Sequence, residues 1–478
     1  MTGKNVLTFF ARIKTIRWNS VWTDIKEAVA GSDRDFTSDS IGKALLILSI
    51  PMVLEMIMES VFAVVDIFFV SKLGADAVAT VGITESSMTI VYALGMGLST
   101  ATTALVARRI GEKKSGKAGA VAFQAILAGL AVSLIITVPG IVYAKEFLGL
   151  MGASPEMIES GYLYPAIMFG GNAVIMLLFI INAVFRSSGD AAISMRVLLF
   201  ANLVNMILDP LLIFGIGPFP ELGLKGAAIA TTIGRGLAVC YQFYLLFRGH
   251  RRIRLELDHL RIKSKVMLKL FKLSAGGILQ YIIATSSWIA LYRIISELGP
   301  ETMAGYTIAI RIVVFVLLPS WGLANAASTL VGQNLGAQQP ERAERTVWIT
   351  AFANMSLLGL VSIVLVIFPE PFIRLFIDEA AVIASGSVSL RVISIGFISY
   401  ALGMVLVQAF NGSGDTITPT RINLFCFWLF EIPLAYLLAI VFDMKIHGIS
   451  IAIVAAETAL TLTAWYLFRK GKWKTVKV

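Results

Sequence analysis

Acidic and amide side chains interrupt several apolar runs of this chain. The run FANLVNMILDPLLIFG, residues 200–215, contains Asn205 and Asp209, which are four residues apart and therefore neighbours on one helix face. Another apolar run contains Asp66. Two carboxylates in one dry site cannot both be ionised at low cost, so Asp66 and Asp209 could carry a proton. With the Asn205 amide and the Thr231 hydroxyl, the same oxygens could instead hold Na+.

Further acids lie close to these residues in the sequence. Glu55, Glu59 and Asp66 fall within roughly 40° of one another on a helical projection, so they line one face. Glu85 lies in the next apolar run. Acids inside a membrane are rare and are candidates for function by default.

The composition shows why these runs are membrane spans. Of the 478 residues, 57% are hydrophobic and 15% are charged, against about 25% charged in soluble proteins. Runs of about 20 apolar residues recur along the chain and predict transmembrane helices. We predict twelve spans, near residues 44–70, 78–107, 117–143, 157–184, 191–215, 225–247, 267–298, 301–332, 343–368, 381–410, 417–441 and 447–468.

The formal charge of +10 is explained by the distribution of the basic residues. With the N-terminus inside, 31 of the 40 Lys and Arg residues lie in inner segments or at the inner ends of spans, and five lie in outer loops or at the outer end of a span. This asymmetry predicts a multi-pass protein of the cell membrane with both termini cytoplasmic. Anionic membrane lipids account for the basic excess, so we expect no nucleic-acid partner.

The chain is an internal repeat with a constant offset of 225 residues. GLSTATTALVARRIG (97–111) recurs as GLANAASTLVGQNLG (322–336), and FRSSGD (185–190) as FNGSGD (410–415). Each copy has six spans, which predicts an all-α fold of two parallel six-helix bundles about a pseudo-two-fold axis along the membrane normal. The expected parts are a leader (1–43), two bundles (44–247 and 267–468), a basic linker (248–266) and a basic tail (469–478).

The two copies differ in their polar groups. At the offset of 225 the second half replaces Asp66, Glu59, Asn205 and Asp209 with Leu291, Ala284, Phe430 and Leu434. A purely structural network would have been kept in both copies, so we predict a functional role in the first half. In the second half, we expect Arg293, Arg311 and Arg391 to form structural ion pairs with Glu431 and Glu457, with substrate contacts as the alternative.

The leader alternates apolar and basic residues, which fits a helix lying in the inner headgroup region as well as an ordinary solvated segment. The residues concerned are Val6, Phe10, Arg12, Ile13, Lys14, Arg17, Val21, Ile25 and Lys26.

Four stretches resemble the multidrug and toxic compound extrusion (MATE) family of the MOP flippase superfamily. They are PMVLEMIMESVFAVVDIFFVSKLG, FRSSGD, NMILDP with GAAIAT after it, and LVGQNLGA. The resemblance covers the chain from about residue 40 and is strongest to the prokaryotic DNA-damage-inducible branch. It implies a V-shaped pair of bundles and a cation-coupled exporter.

Several positions match the residues of that branch. The resemblance implies a cation site at Asp66, Asn205, Asp209 and Thr231, and cavity positions at Pro51, Phe62 and Asn182. Glu59 departs from the branch, in which a neutral amide is usual. We therefore expect a substrate cavity lined by Pro51, Glu55, Glu59, Phe62, Glu85, Asn182 and Gln280. Gln280 replaces an acid that some relatives carry in the seventh span, which argues against a coupling site in the second half.

The function expected from these features is antiport of H+ or Na+ against an amphiphilic, cationic organic compound. A flippase for a lipid-linked saccharide precursor is the alternative, although it would favour more spans and a cationic cleft. No catalytic or metal-binding spacing supports an enzyme. We expect a monomer with no cofactor beyond the coupling ion.

Overall fold

Twelve long helical segments form the body of the protein. The computed structural model describes residues 18–32, 34–249, 252–256 and 261–478. We number the segments α1–α12 in chain order, and they match the twelve predicted spans. Their bounds are Ile41–Ser71, Ala75–Gly111, Ser115–Val142, Leu163–Ser188, Ala191–Phe214, Leu224–Arg248, Ser264–Ile295, Pro300–Gly336, Pro340–Ile367, Ala380–Ile395 with Phe397–Ser413, Ile417–Val441 and Lys445–Arg469.

Length and composition mark most of these helices as membrane spans. Nine described helices are long and apolar enough to cross a bilayer, and ten are if the two parts of α10, bent by 55°, count as one. The remaining two, α1 and α6, are 31 and 25 residues long, above the roughly 20 residues that a span needs. The chain is a polytopic, all-helical membrane protein.

The twelve helices form two lobes, α1–α6 and α7–α12, that repeat the same arrangement. The lobes meet where α1 packs against α8 and where α2 packs against α7 and α8. The first and second contacts are equivalent under the repeat, because α7 and α8 are the second copies of α1 and α2. Small residues permit the close approach, since a side chain at Gly97 would collide with the backbone of α7.

The lobes are tightly joined at the end predicted to be cytoplasmic. A Cβ atom at Gly111 would collide with the carbonyl oxygen of Gln333, and one at Gly336 with that of Arg108. These two contacts are related by the offset of 225. Gln333 also donates a hydrogen bond of 2.8 Å to the carbonyl of Ser187 in the first lobe. The cleft between the two lobes is therefore closed at this end.

The predicted amphipathic leader lies partly outside the described residues, which begin at residue 18. Within them, the helix Trp18–Ala30 packs against α1. Lys43 holds the helix there through Asp24 at 2.7 Å and Glu27 at 3.4 Å.

The predicted basic tail contacts both lobes. Trp473 is buried and stacks on Phe468 with ring centroids 4.7 Å apart. Lys474 pairs with Glu344 of the second lobe at 2.5 Å. In the first lobe, Arg108 donates a 3.0 Å hydrogen bond to the carbonyl of Val476.

Candidate cation and substrate sites

Helices α5 and α6 bring three of the predicted cation-site residues together. The Asn205 amide donates hydrogen bonds of 3.2 Å to Asp209 Oδ1 and to Thr231 Oγ1. Asn205 and Asp209 are 1% and 0% exposed, and Thr231 is also buried. The spacing of four residues puts Asn205 and Asp209 on one face of α5, and the packing of α5 against α6 supplies Thr231.

Asp66 faces this trio from α1, which packs along α5. The charges of Asp66 and Asp209 act on each other. One oxygen each of Asp66, Asn205 and Asp209 is buried and has no hydrogen-bond partner among the described residues. Buried oxygen atoms without partners are costly. We call Asp66, Asn205, Asp209 and Thr231 the first-lobe cation group, since a proton or a small cation would satisfy these oxygens.

Arg235 of α6 is the counter-charge of the neighbouring acids. It donates a 3.4 Å hydrogen bond to Glu59, and its guanidinium lies 4.9 Å from the centre of the Phe62 ring. It also interacts with Glu85 and Tyr92. No role was predicted for Arg235 from the sequence, although it lies in the middle of the predicted span 225–247. Its position in the half that contains the intramembrane acids is the feature of the sequence that could have identified it.

Glu55 forms a second ion pair, and this one is buried. Its Oε1 accepts a 2.5 Å hydrogen bond from Arg186 and one of 3.4 Å from Asn182. Asn182 in turn accepts a hydrogen bond of 2.6 Å from Gln242. These contacts link α1, α4 and α6 within the first lobe, and Pro51 is buried one turn before Glu55. Glu55 is therefore neutralised in place by Arg186.

Glu85 of α2 is exposed and accepts a hydrogen bond of 3.3 Å from the Tyr92 hydroxyl. Its charge acts on Asp66 and Arg235. The first lobe thus gathers five acids around two bases.

A central cavity of about 440 Å³ lies between the lobes. Of the residues predicted to line the substrate cavity, Gln280 lines it, whereas the six first-lobe residues are not among the lining residues. Glu55 and Asn182 bond to each other, and Glu59 to Arg235, inside the first lobe. Gln280 exchanges hydrogen bonds of 3.1 and 3.2 Å with Asn411. Residues of the second lobe supply most of the lining. Arg186 is the charged residue that the first lobe contributes to it.

The ion pairs predicted for the second half do not form. Arg293 pairs with Glu297 at 3.3 Å, Arg391 donates to the carbonyl of Val366, and Arg311 is exposed. Glu431 is buried with an oxygen that has no hydrogen-bond partner among the described residues. The prediction was wrong because sequence spacing does not show which face of each helix turns inward. The arginines lie on outer faces.

Known proteins are similar to this chain over nearly its whole length. The family model MatE matches twice, over residues 51–211 and 277–437. A protein named FAD transporter from Shewanella oneidensis is 26% identical over 91% of this chain and 95% of its own length. A probable multidrug resistance protein, YoeA, from Bacillus subtilis is 23% identical over 92% of this chain and 96% of its own length. A solved MOP superfamily transporter from Pyrococcus furiosus superposes with a TM-score of 0.85 at 23% identity, covering 92% of this chain and 98% of that one.

The two repeated lobes and the polar groups between their helices define a polytopic membrane transporter. Because the family model matches more than half of the chain, once in each lobe, the chain belongs to the MatE family. The sequence resemblance to MATE transporters is thereby confirmed.

Proposed function

We propose that this protein is a cation-coupled antiporter that exports amphiphilic organic cations and exchanges them for H+ or Na+. The observation that carries the proposal is the first-lobe cation group, in which three buried oxygens have no hydrogen-bond partner among the described residues. Its equivalents in the second half are apolar at both carboxylate positions, Leu291 and Leu434. A polar group confined to one of two matched lobes supports a role other than holding the fold.

The coupling follows from charge. With no bound cation, Asp66 and Asp209 repel each other inside a cluster in which five acids surround two bases. A proton or Na+ removes that repulsion and stabilises the helix arrangement that binds it. A ligand shifts a conformational equilibrium only as far as its affinities for the two states differ. Binding at the first-lobe cation group would therefore favour one arrangement of α1, α5 and α6.

Alternating access is supported by the closed end of the cleft. Gly111 and Gly336 hold the two lobes together at the end predicted to be cytoplasmic. Release of these contacts would open the central cavity to that side. With both termini cytoplasmic in the cell membrane, the transported compound would enter there and leave at the opposite end.

The relatives support export of organic compounds, since several are named as multidrug resistance or multidrug export proteins. One relative is named FAD transporter. Transport of FAD, or of the lipid-linked saccharide precursor of the flippase alternative, would require binding of a pyrophosphate group. Such an anion would meet an excess of acid among the intramembrane polar residues of the first lobe. Arg186, the basic residue of the central cavity, is already paired with Glu55 at 2.5 Å. Organic cations fit this charge distribution better.

Drug export by whole cells tests the proposal. Asp66→Asn and Asp209→Asn should each reduce ethidium export at least tenfold, whereas Asp76→Asn, at an exposed acid in the first turn of α2, should not. Normal export by both variants, with the protein present in the membrane at the usual level, would overturn the role of this group.

A further inference from the structure

A small side chamber lies beside the central cavity, within the second lobe. Its volume is about 40 Å³, and it shares with the central cavity the lining residues Trp288, Leu317, Tyr400, Phe427 and Glu457. The two spaces are therefore adjacent and share these residues as a common wall. A compound in the central cavity, whose volume of about 440 Å³ is that of a small-molecule site, could place one small group in this side chamber.

Two carboxylates face the side chamber. Glu431 of α11 is 3% exposed, and its Oε2 has no hydrogen-bond partner among the described residues. Glu457 of α12 lies where the side chamber meets the central cavity, and the charges of the two acids act on each other. No Lys, Arg or His occurs among the lining residues. An uncompensated buried carboxylate is costly, so these acids take up a proton unless a positively charged ligand compensates them.

The remaining lining is rich in aromatic rings. Trp288, Tyr306, Phe397, Tyr400 and Phe427 surround the side chamber. The face of an aromatic ring attracts cations, and cages of such rings bind ammonium groups that carry methyl substituents. An inorganic Na+ ion instead prefers several oxygen ligands, of which this apolar lining offers few. The chemistry therefore favours an organic ammonium group.

The internal repeat places the side chamber where the first lobe has its acids. Helices α11 and α12 are the second copies of α5 and α6, so at the offset of 225 Glu431 and Glu457 correspond to Met206 and Thr232. These positions are next to Asn205 and Thr231. Two other lining residues, Leu291 and Ile310, correspond to Asp66 and Glu85. The second lobe thus has acids of its own on the equivalent helices.

Local structure at Glu431 is also irregular. Residues Leu424–Glu431 form a π-helix within α11. Such wide turns are rare and frequently occur at functional sites. The π-helix ends at the buried carboxylate, which it presents to the side chamber.

We propose that the side chamber binds the ammonium group of the transported organic cation, with Glu457 at its entrance and Glu431 at its inner end. The apolar body of the compound occupies the central cavity. The inference rests on the proposed function and adds to it a substrate site in the lobe that lacks the first-lobe cation group.

Equilibrium binding to the purified full-length protein in nanodiscs, without any ion gradient, tests this site. The probe is a dansylamide with a 2-(trimethylammonio)ethyl group. Its control is the neutral isostere with a 3,3-dimethylbutyl group. Glu457→Gln should weaken binding of the cationic probe at least tenfold and leave binding of the neutral one unchanged. Glu457→Asp, which keeps the charge, should retain most of the affinity, and Glu341→Gln, at an exposed acid of the same lobe, should retain all of it.

Three results would overturn the site: unchanged affinity in Glu457→Gln, an equal loss for both probes, or loss of cationic binding in Asp66→Asn but not in Glu457→Gln.

Failure of the side-chamber proposal can be told apart from failure of the coupling proposal. If Asp66→Asn and Asp209→Asn bind the probe normally but no longer export it, while Glu457→Gln also binds it normally, the proposed function stands and the side chamber fails. If Glu457→Gln alone loses binding and the aspartate variants export normally, the side chamber stands and the coupling role fails.

Discussion

The amide nitrogen of Asn205 lies 3.2 Å from both Asp209 Oδ1 and Thr231 Oγ1, so one side chain ties α5 to α6 and fixes the orientation of the carboxylate. Its own carbonyl oxygen remains buried and without a partner among the described residues. Asn205 therefore holds Asp209 in place and offers a further oxygen to a bound cation.

This geometry predicts that Asn205→Ala weakens binding of the coupling cation more than Thr231→Val does. The alanine variant loses both hydrogen bonds and one buried oxygen, and each hydrogen bond contributes about 1 kcal/mol. The apparent affinity for the coupling cation should fall about tenfold in Asn205→Ala and less in Thr231→Val. The measurement is the dependence of export rate on cation concentration in proteoliposomes. If both variants kept the cation affinity of the wild type, the contacts among Asn205, Asp209 and Thr231 would serve only to hold α5 and α6 together.

Arg235 should stabilise the first lobe through its acids. Arg235→Gln leaves Glu59 and Glu85 without their counter-charge, and loss of one partner of a buried pair costs about 3 kcal/mol. Because the Glu59 side chain is 45% exposed, we expect about 1–2 kcal/mol here, seen as a lower unfolding temperature.

A double-mutant cycle provides the control for Arg235. Glu59→Gln combined with Arg235→Gln should recover part of the lost stability, because the uncompensated acid is removed. Strictly additive losses would mean that Arg235 acts through its packing on Phe62 rather than through charge.

The closed end of the cleft depends on the absence of a side chain at Gly336. Gly336→Val places a Cβ against the carbonyl of Arg108, so the lobes should separate at the end predicted to be cytoplasmic. In a Cys240→Ser background, a cysteine at buried Ser187 should then react at least tenfold faster with a membrane-impermeant thiol reagent.

Gly82→Val is the matched control for this opening, since a Cβ at Gly82 meets nothing within 4 Å. It should leave the reactivity at position 187 unchanged. A folded Gly336→Val variant with unchanged reactivity would show that other contacts, such as that of Gln333 with Ser187, suffice to close the cleft.

The helix Trp18–Ala30 should leave α1 at acid pH. A hydrogen bond from Arg34 lowers the pKa of Glu27, which also contacts Lys43. A depressed carboxyl pKa contributes stability above its unfolded value, about 4.3, and that stability is lost as pH falls through the folded value. A spin label at Val29 should therefore become mobile below about pH 4. Glu27→Gln should abolish this pH dependence, and an unchanged transition in that variant would assign it to another group.

The repeat made much of this fold predictable. An offset of 225 paired α2 with α8, and the structure places the paired glycines Gly111 and Gly336 at equivalent contacts. The spacing of Asn205 and Asp209 put them on one face, because that relation is fixed by helix geometry.

Contacts between helices were not predictable from spacing. Arg235 and Arg186 reach their acids across helix interfaces, and the sequence does not fix the rotation of one helix against another. The same limit led to the wrong pairing of Arg293 and Arg391. It also concealed the side chamber, since Glu431 and Glu457 stand beside, rather than at, the positions equivalent to Asn205 and Thr231.

The most direct test of the coupling claim is transport into proteoliposomes under separately imposed H+ and Na+ gradients, for the wild-type protein and for Asp209→Asn. Uptake of an organic cation by the wild type should require one of the two gradients directed oppositely to the substrate, and Asp209→Asn should abolish the response to that gradient. Transport at an equal rate without any gradient, or a response that survives in Asp209→Asn, would contradict coupling through the first-lobe cation group.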